Sequence, residues 1–257
     1  MQWIYLSPHF DDVALSCGGL VWEQARQGDQ VSIWTICAGE PPSGDFSPFA
    51  QSLHDRWNFD KLAYIHRKEE DTRSCQFLGA KQHYFSLPDC IYRLDPQTHK
   101  HMYASEIALN GPIHPGDRQS LDHLQEELRL AVPTSAVLIC PLALGNHVDH
   151  QIVRLAAEGL AQLTWYYADF PYVSQNTTQL DQLTREGWQS QGFTISADGL
   201  EAWIHSIELH ASQISTFWVD GQALRRAVTD FCQQSSGIHL WKKPAGQIIL
   251  AFPCDMC

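Results

Sequence analysis

The stretch Leu6-Ser7-Pro8-His9-Phe10-Asp11-Asp12 joins two different hydrophobic patterns. The apolar run Trp3–Leu6 precedes it and predicts a short buried strand, and an apolar pattern of helical period follows from Val13 to Gln27. A histidine and two aspartates therefore lie where a strand ends and a helix begins. In open α/β sheets, binding sites are built at this kind of junction.

A second turn of the same kind lies far downstream. The stretch Gly145-Asn146-His147-Val148-Asp149-His150 follows the apolar run Ala136–Cys140 and leads into a helical pattern, Asp149–Leu163. Because the carboxyl ends of parallel strands meet at one edge of a sheet, the two turns are expected to lie close together. Histidine and aspartate side chains at both turns predict one metal site assembled from distant parts of the chain.

Strand and helix patterns alternate along most of the chain. Further strands are predicted at Val31–Cys37, Gln82–Phe85, Thr164–Ala168 and Gln247–Phe252, and helices at His66–Leu78, Arg118–Leu130, Leu200–Phe217 and Gly221–Cys232. Loops are predicted at Ala38–Phe49 and Leu87–Asp117. This order predicts a single α/β domain over residues 1–257 with a mostly parallel sheet flanked by helices. Residues 170–257 form its C-terminal part, where the patterns are less regular.

Composition excludes several classes of protein. The 257 residues are 44% hydrophobic and 18% charged, which is typical of a globular protein with a substantial core. The net charge of −12 argues against a nucleic-acid or anionic-membrane partner, because phosphate binding depends on lysine and arginine. No apolar run approaches the ~18 residues of a membrane span, and no signal peptide is recognisable. We therefore expect a cytoplasmic protein with no membrane partner.

The eight cysteines are scattered, and several lie within apolar patterns. Buried free thiols are the expectation for such positions. Cys254 and Cys257 form a lone C-x-x-C pair near the last residue, and without a second pair this spacing is a weak indication of zinc. A frayed terminal segment is the simpler interpretation of this pair.

Three side chains at the two turns have the chemistry of a hydrolytic metal site. His9, Asp12 and His150 form a set of two histidines and one aspartate, which is typical of a zinc ion that keeps one position for water. Zinc lowers the pKa of a water molecule bound to it to about 7, so that the water can attack a carbonyl carbon. Fe²⁺ and other divalent ions accept the same ligands.

The remaining polar groups have complementary roles. Asp11 is expected to point away from its neighbour Asp12, as a general base that takes a proton from the attacking water. His147 precedes His150 by three residues and faces the same cleft, where as an imidazolium it stabilises an oxyanion and protonates the leaving amine. Asp149 is expected to hold one of the imidazoles in its tautomer.

Other interpretations of these residues remain open. Asp12 is a suitable helix cap, and His147 and His150 are compatible with surface positions. His9 and Asp11 with a distant His150 also match the ligands of non-haem iron oxygenases, in which Asp11 rather than Asp12 binds the metal. A third alternative is a module that binds a sugar or a nucleotide without turnover, although the first turn lacks G-x-G-x-x-G.

The two turns resemble the motifs of the PIG-L/LmbE-like family of zinc-dependent N-deacetylases. That family carries A-H-P-D-D-E after its first strand and H-P-D-H further on, and Ser7–Val13 and His147–His150 are similar to them. The resemblance implies a Rossmann-like fold, with His9, Asp12 and His150 as metal ligands, Asp11 as the general base and His147 beside the oxyanion. Phe10, Val13 and Val148 depart from the family's Pro, Glu and Pro, and Gly145 stands where some members have a tyrosine.

Other stretches extend the resemblance to about Tyr172. Arg67-Lys68-Glu69-Glu70 is similar to the family's R-x-x-E helix, Leu87-Pro88-Asp89 to its loop aspartate, and Tyr166–Tyr172 to a Y-x-D-x-P-Y segment. The resemblance implies that Arg67, Glu70, Asp89, Asp149 and Asp169 contact the substrate or support the site. An exposed Arg67–Glu70 ion pair and a loop cap at Asp89 are the simpler alternatives.

The resulting prediction is a zinc-dependent hydrolase that removes the acetyl group from an N-acetylglucosamine-type conjugate. The amino-sugar substrate is implied by the resemblance, and an amidase for a thiol-sugar conjugate is the alternative within the same superfamily. A small-molecule amino sugar is the expected partner. The sequence leaves open whether the chain acts alone or as a homo-oligomer.

Overall fold

A sheet of mostly parallel strands forms the centre of the molecule. The computed structural model describes residues 1–43, 46–57, 63–160, 162 and 164–244. Its strands are β1 (Gln2–Ser7), β2 (Gln30–Thr35), β3 (Lys81–Tyr84), β4 (Val137–Pro141), β5 (Thr164–Tyr167), β6 (Gln189–Phe193) and β7 (Ile238–Lys242). They lie in the order β3-β2-β1-β4-β5-β7-β6, with β1 to β5 parallel and β7 antiparallel to both neighbours. The predicted single α/β domain is confirmed.

Helices cover both faces of the sheet. In the described ranges they are α1 (Asp12–Arg26), α2 (Pro48–Arg56), α3 (Ala63–Leu78), α4 (Glu106–Leu109), α5 (Arg118–Ala131), α6 (Val148–Glu158), α7 (Thr177–Arg185), α8 (Ala197–Glu208), α9 (Ala211–Phe217) and α10 (Gly221–Gln234). Helices α1, α3 and α8 pack together, and α5 packs against α6. Right-handed crossovers that run in opposite directions from β1 and β4 place these two groups on opposite faces.

The strand order reverses between β1 and β4. β1 pairs with β2 on one side and with β4 on the other, and the chain then continues outward in both directions. Ile4, Tyr5 and Leu6 of β1 are completely buried, because helices cover this strand on both faces. The crevice at the carboxyl ends of β1 and β4 is the position where open α/β sheets bind their ligands.

Predicted segments differ from the structure in three places, one of which is the short helix α4 (Glu106–Leu109) inside the loop predicted at Leu87–Asp117. The helix predicted at Leu200–Phe217 is two helices, α8 and α9, that are separated at Leu209 and His210. The loop predicted at Ala38–Phe49 ends earlier, since α2 begins at Pro48 with the Ser47 hydroxyl accepting a hydrogen bond from the amide of Ala50 at 3.0 Å. The strand predicted at Gln247–Phe252 and the pair Cys254 and Cys257 lie outside the described residues.

The cysteines and the helices bear on two expectations from composition. The six cysteines among the described residues are buried free thiols, as expected: Cys17, Cys37, Cys75, Cys90, Cys140 and Cys232. In the same part of the chain, each helix is too short or too polar to cross a bilayer.

The C-terminal helices are part of the main core. Trp203 of α8 is fully buried, and its indole Nε1 donates hydrogen bonds to the carbonyl oxygens of Ala14 and Leu15 at 3.0 Å each. The ring packs so closely on Gly18 of α1 that a Cβ there would lie 2.8 Å from Trp203 Cδ1. Helix α8 can therefore pack this closely on α1 only because residue 18 has no side chain.

We expect Trp203→Ala to lower the free energy of unfolding by about 3–5 kcal/mol, because it leaves a cavity and two carbonyl groups without their indole donor. Urea unfolding followed by circular dichroism measures the change. The control Val219→Ala, at a side chain that is 93% exposed, should stay within about 0.5 kcal/mol of the wild type. An unchanged midpoint for Trp203→Ala would show that α8 unfolds separately from the sheet.

Candidate metal centre

The two turns singled out in the sequence meet at the crevice between β1 and β4. His9, Asp11 and Asp12 follow the end of β1, and His147 and His150 lie at the start of α6, after β4. One ring nitrogen from each of His9, His147 and His150 lies within 4.8 Å of the other two. The parallel pairing of β1 and β4 brings these distant parts of the chain together.

The Asp12 carboxylate lies between two histidine rings. Its Oδ2 is 3.1 Å from His9 Nδ1, and its Oδ1 is 3.3 Å from His150 Nε2. Asp12 is the first residue of α1 and does not cap the helix: its Oδ2 accepts a hydrogen bond from the amide of His9 at 2.7 Å, while the Ser7 hydroxyl accepts one from the amide of Val13 at 3.2 Å. Helix capping therefore leaves the Asp12 carboxylate directed toward the two rings.

A buried aspartate holds the far nitrogen of each of these rings. His9 Nε2 lies 3.0 Å from Asp149 Oδ2, and His150 Nδ1 lies 2.6 Å from Asp169 Oδ1. Both carboxylates are almost fully buried and accept the ring N–H. The other nitrogen of each ring faces Asp12; a protonated ring donates its N–H to that carboxylate, and a bound ion would take the lone pair of this nitrogen instead. Metal-binding histidines in proteins have this arrangement of carboxylate, imidazole and ion.

The electrostatics of this cluster suit a cation. Although burial favours the neutral ring, Asp12 and Asp169 raise the pKa of His150 to about 10, and Asp12 and Asp149 raise the pKa of His9 well above its usual range. In the same way the charge of His150 outweighs burial and holds the pKa of Asp12 well below its usual range. The carboxylates thus draw positive charge to the point between the rings, and a divalent ion would supply it there. Two imidazoles and one carboxylate fit zinc or Fe²⁺ by their chemistry.

Asp11 points away from Asp12, toward Arg67 of α3. Its Oδ1 lies 3.7 Å from Arg67 Nη2. Burial and the charge of Asp12 raise the pKa of Asp11 to about 6, although the Arg67 guanidinium opposes the shift. A carboxyl group with a pKa near neutrality is suited to accepting and returning a proton.

His147 differs from its expected charge state. Burial and the charges of His9 and His150 lower the pKa of His147 well below its usual range, which favours the neutral ring over the predicted imidazolium. Its Nδ1 accepts a hydrogen bond from the amide of Asp149 at 3.2 Å. The ring proton is therefore on Nε2, so that His147 is a neutral hydrogen-bond donor.

A cleft of about 320 Å³ opens above these residues. His9, Asp11, Asp12 and His147 form its floor, with Arg67 and Asp89 beside them. The upper walls come from α2, α4 and α9 and include Leu53, Glu106, Leu109, Gln213 and Phe217. None of these wall residues was identified in the sequence; the Ser47-Pro48 pair that starts α2 was the available indication of that helix.

Arg67 and Asp89 lie at the cleft, whereas Glu70 does not. Arg67 Nη1 is 3.9 Å from Asp89 Oδ2, and Asp89 also accepts a hydrogen bond from the amide of Ile91 at 3.2 Å. Glu70 instead accepts hydrogen bonds from the amide and the hydroxyl of Ser212, at 3.0 and 2.5 Å. The alternative of an exposed Arg67–Glu70 ion pair is wrong, because Glu70 is buried and fixes the start of α9. Its predicted role of contacting the substrate or supporting the site stays a prediction, and through α9 Glu70 is placed to support the cleft wall.

Tyr172 fills the space next to Gly145. A Cβ at Gly145 would lie 3.4 Å from the Tyr172 ring, and the backbone there has a φ of +86°, which favours glycine. The Tyr172 ring also lines the cleft and lies edge-on to the His150 ring at 6.1 Å. A larger residue at position 145 would displace this aromatic wall.

The chain is similar in sequence to two proteins named as deacetylases. The 2'-N-acetylparomamine deacetylase of Niallia circulans is 28% identical over 213 residues, covering 72% of this chain and 71% of that protein. The protein of the same name from Streptomyces fradiae is 29% identical over 192 residues, covering 71% of this chain and 62% of that protein.

A solved structure has the same fold. The zinc-inhibited form of teicoplanin deacetylase Orf2 superposes with a TM-score of 0.81 at 20% identity, covering 94% of this chain and 97% of that one. A likeness at this level of identity shows the fold alone. The family model for GlcNAc-PI de-N-acetylase matches residues 4–161, which include both turns. Since this match spans more than half of the sequence, the chain belongs to the PIG-L family.

Proposed function

We propose that this protein is a metal-dependent hydrolase that removes the acetyl group from an N-acetylated amino sugar of the N-acetylglucosamine type. The observation that carries the proposal is the Asp12 carboxylate between His9 Nδ1 and His150 Nε2, on the floor of a cleft that also holds Asp11. Membership of the PIG-L family and relatives named as 2'-N-acetylparomamine deacetylases support the choice of reaction.

His9, Asp12 and His150 would hold the ion, with zinc as the first candidate and Fe²⁺ as the second. When bound, a divalent ion supplies Lewis acidity that activates a water molecule and polarises a carbonyl oxygen. Asp149 and Asp169 hold the two imidazole rings from behind, so that neither ring has to reorient.

Asp11 carries the proton through the reaction. It takes a proton from the attacking water while the water oxygen forms a bond to the acetyl carbon. It then gives that proton to the amide nitrogen as the C–N bond breaks, which yields acetate and a free amino sugar. The Arg67 guanidinium, 3.7 Å away, keeps the carboxyl group in place between the two steps.

His147 stabilises the charge that develops on the acetyl oxygen. Its Nδ1 is occupied by the amide of Asp149, which leaves Nε2–H as the donor toward the cleft. A fixed neutral donor at this point stabilises a tetrahedral intermediate without the reorganisation that water would need. The amine proton is thus assigned to Asp11 rather than to His147.

Two observations favour this reaction over the alternatives. In an iron oxygenase site Asp11 would be a ligand, but its carboxylate is directed to Arg67 while Asp12 faces both histidines. A protein that only binds a sugar or a nucleotide has no chemical use for Asp11, a buried carboxyl group next to the proposed ligands that is suited to proton transfer. An amidase for a thiol-sugar conjugate uses the same residues and differs only in its substrate.

We expect the zinc-loaded protein to release acetate from N-acetylated amino sugars and to lose this activity when a chelator removes the ion. Acetate is measured by a coupled assay on a panel that includes N-acetylglucosamine, its glycosides and an N-acetylated aminoglycoside. Zinc or Fe²⁺ added back should restore the rate, because the three ligands are pre-arranged by their buried partners. A loaded protein that binds these sugars and releases no acetate would favour the binding module instead.

A further inference from the structure

Arg93 reaches the metal centre from outside both motifs. It lies between β3 and α4 and is 94% buried, since its exposed fraction is 6%. Its Nη2 donates to Asp149 Oδ1 at 2.5 Å and lies 2.9 Å from Asp117 Oδ2, and its Nη1 donates to the carbonyl oxygen of Pro88 at 3.3 Å. A single guanidinium therefore joins two buried carboxylates.

Asp149 links this arginine to His9. Its Oδ1 accepts from Arg93, and its Oδ2 accepts from His9 Nε2 and from the amide of Cys90, each at 3.0 Å. The two oxygens thus have different partners, and the arginine determines which oxygen remains for the imidazole. Arg93 is thus connected to His9 Nδ1 through the Asp149 carboxylate and the His9 ring.

Asp117 contacts the same guanidinium nitrogen, Nη2, as Asp149 does. It is fully buried, and its Oδ2 accepts a hydrogen bond from the Tyr103 hydroxyl at 2.9 Å. A buried charge without its partner is strongly destabilising, so Asp117 and Asp149 together hold this nitrogen in place. The connection from Leu87 to Asp117 is thereby anchored to the metal centre.

We propose that Arg93 is a positioning residue for the metal ion: it orients Asp149 so that His9 Nε2 is hydrogen-bonded and His9 Nδ1 is presented to the ion. This inference rests on the proposed function, because it takes His9 as a metal ligand. Asp117 helps to hold Arg93 in this position, because it contacts the same Nη2 nitrogen.

The test compares Arg93→Met with Arg129→Met, a control on α5 whose side chain is 61% exposed, in the full chain. The dissociation constant for Zn²⁺ is measured by competition with a chelator, and thermal unfolding is measured for both variants in the metal-free form. We expect Arg93→Met to raise the dissociation constant about 10- to 100-fold, as for other residues that support metal ligands. Arg129→Met should leave it close to the wild-type value, and Arg93→Lys should recover part of the loss.

A double variant shows whether Arg93 acts through Asp149. In an Asp149→Asn background, the further change Arg93→Met should have no additional effect on the dissociation constant. Additive losses, or a metal affinity that Arg93→Met does not change, would overturn the proposal. If the wild-type protein itself bound no divalent ion, the proposed function would fail rather than this assignment, so the two failures are distinguishable.

Discussion

Asp11→Asn should leave the metal bound and lower kcat for acetate release by about 10²- to 10⁴-fold. Asparagine has the same shape as aspartate and stays within reach of Arg67, but it cannot accept the proton of the attacking water. Steady-state kinetics measures the rate, and elemental mass spectrometry measures the ion in the same preparation. KM should change much less than kcat, because the proton transfer belongs to the transition state.

The matched control is Asp122→Asn on α5, where the carboxylate is 51% exposed and pairs with Arg118. It should have wild-type kinetics, which would show that removing the charge of an aspartate far from the cleft does not lower kcat. Loss of the ion in Asp11→Asn would contradict the base assignment and identify Asp11 as a ligand, as in the oxygenase alternative. Retained activity with retained metal would mean that another group takes the proton.

His150→Ala should remove the ion and with it the catalysed reaction. The ring contributes one of three proposed ligands, and its loss also leaves Asp169 buried without the N–H at 2.6 Å. We expect the metal content to fall from about one ion per chain to the background, together with acetate release. Elemental mass spectrometry after dialysis against a weak chelator is the direct measurement.

His205→Ala on α8, at a side chain that is 50% exposed, is the control and should keep a full complement of metal. Because His150→Ala leaves the buried Asp169 carboxylate without its partner, we expect it to lower stability for a reason unrelated to metal, so His150→Ala is also combined with Asp169→Asn. The combined variant should fold better and still bind no ion. Metal retained at one per chain would show that His9, Asp12 and His147 suffice.

The residues on the floor of the cleft can be predicted from the sequence because they lie in two short strand-to-helix turns. Each turn is a strand followed at once by a helix, and the spacing within it fixes which side chains emerge together. That the two turns meet follows from parallel strands, whose ends share one edge. The charge states of the histidines could not be predicted from the sequence. The pKa of His147, for example, is lowered by burial and by the charges of His9 and His150, which depend on the folded arrangement.

The supporting residues are not visible in the sequence because their partners are remote. Glu70 contacts Ser212, and Arg93 contacts Asp149, and neither pair has a spacing that marks it. The break between α8 and α9 contains no glycine or proline; it occurs where buried His210 precedes a helix start that Glu70 caps. β6 was missed because its side chains are almost all exposed, so that Gln189–Phe193 has no apolar alternation.

The floor of the cleft and its upper walls, here called the rim, come from different parts of the fold. The floor consists of strand ends and helix starts within the central sheet, whereas the rim is formed by α2, α4 and α9, three helices of 9, 4 and 7 residues. Insertions, deletions and exchanges in such peripheral segments are tolerated far better than changes in a buried sheet. We therefore expect a mutagenesis library restricted to those three helices to change which acetylated substrate is accepted far more than it changes kcat, because the groups proposed for the reaction all lie on the floor.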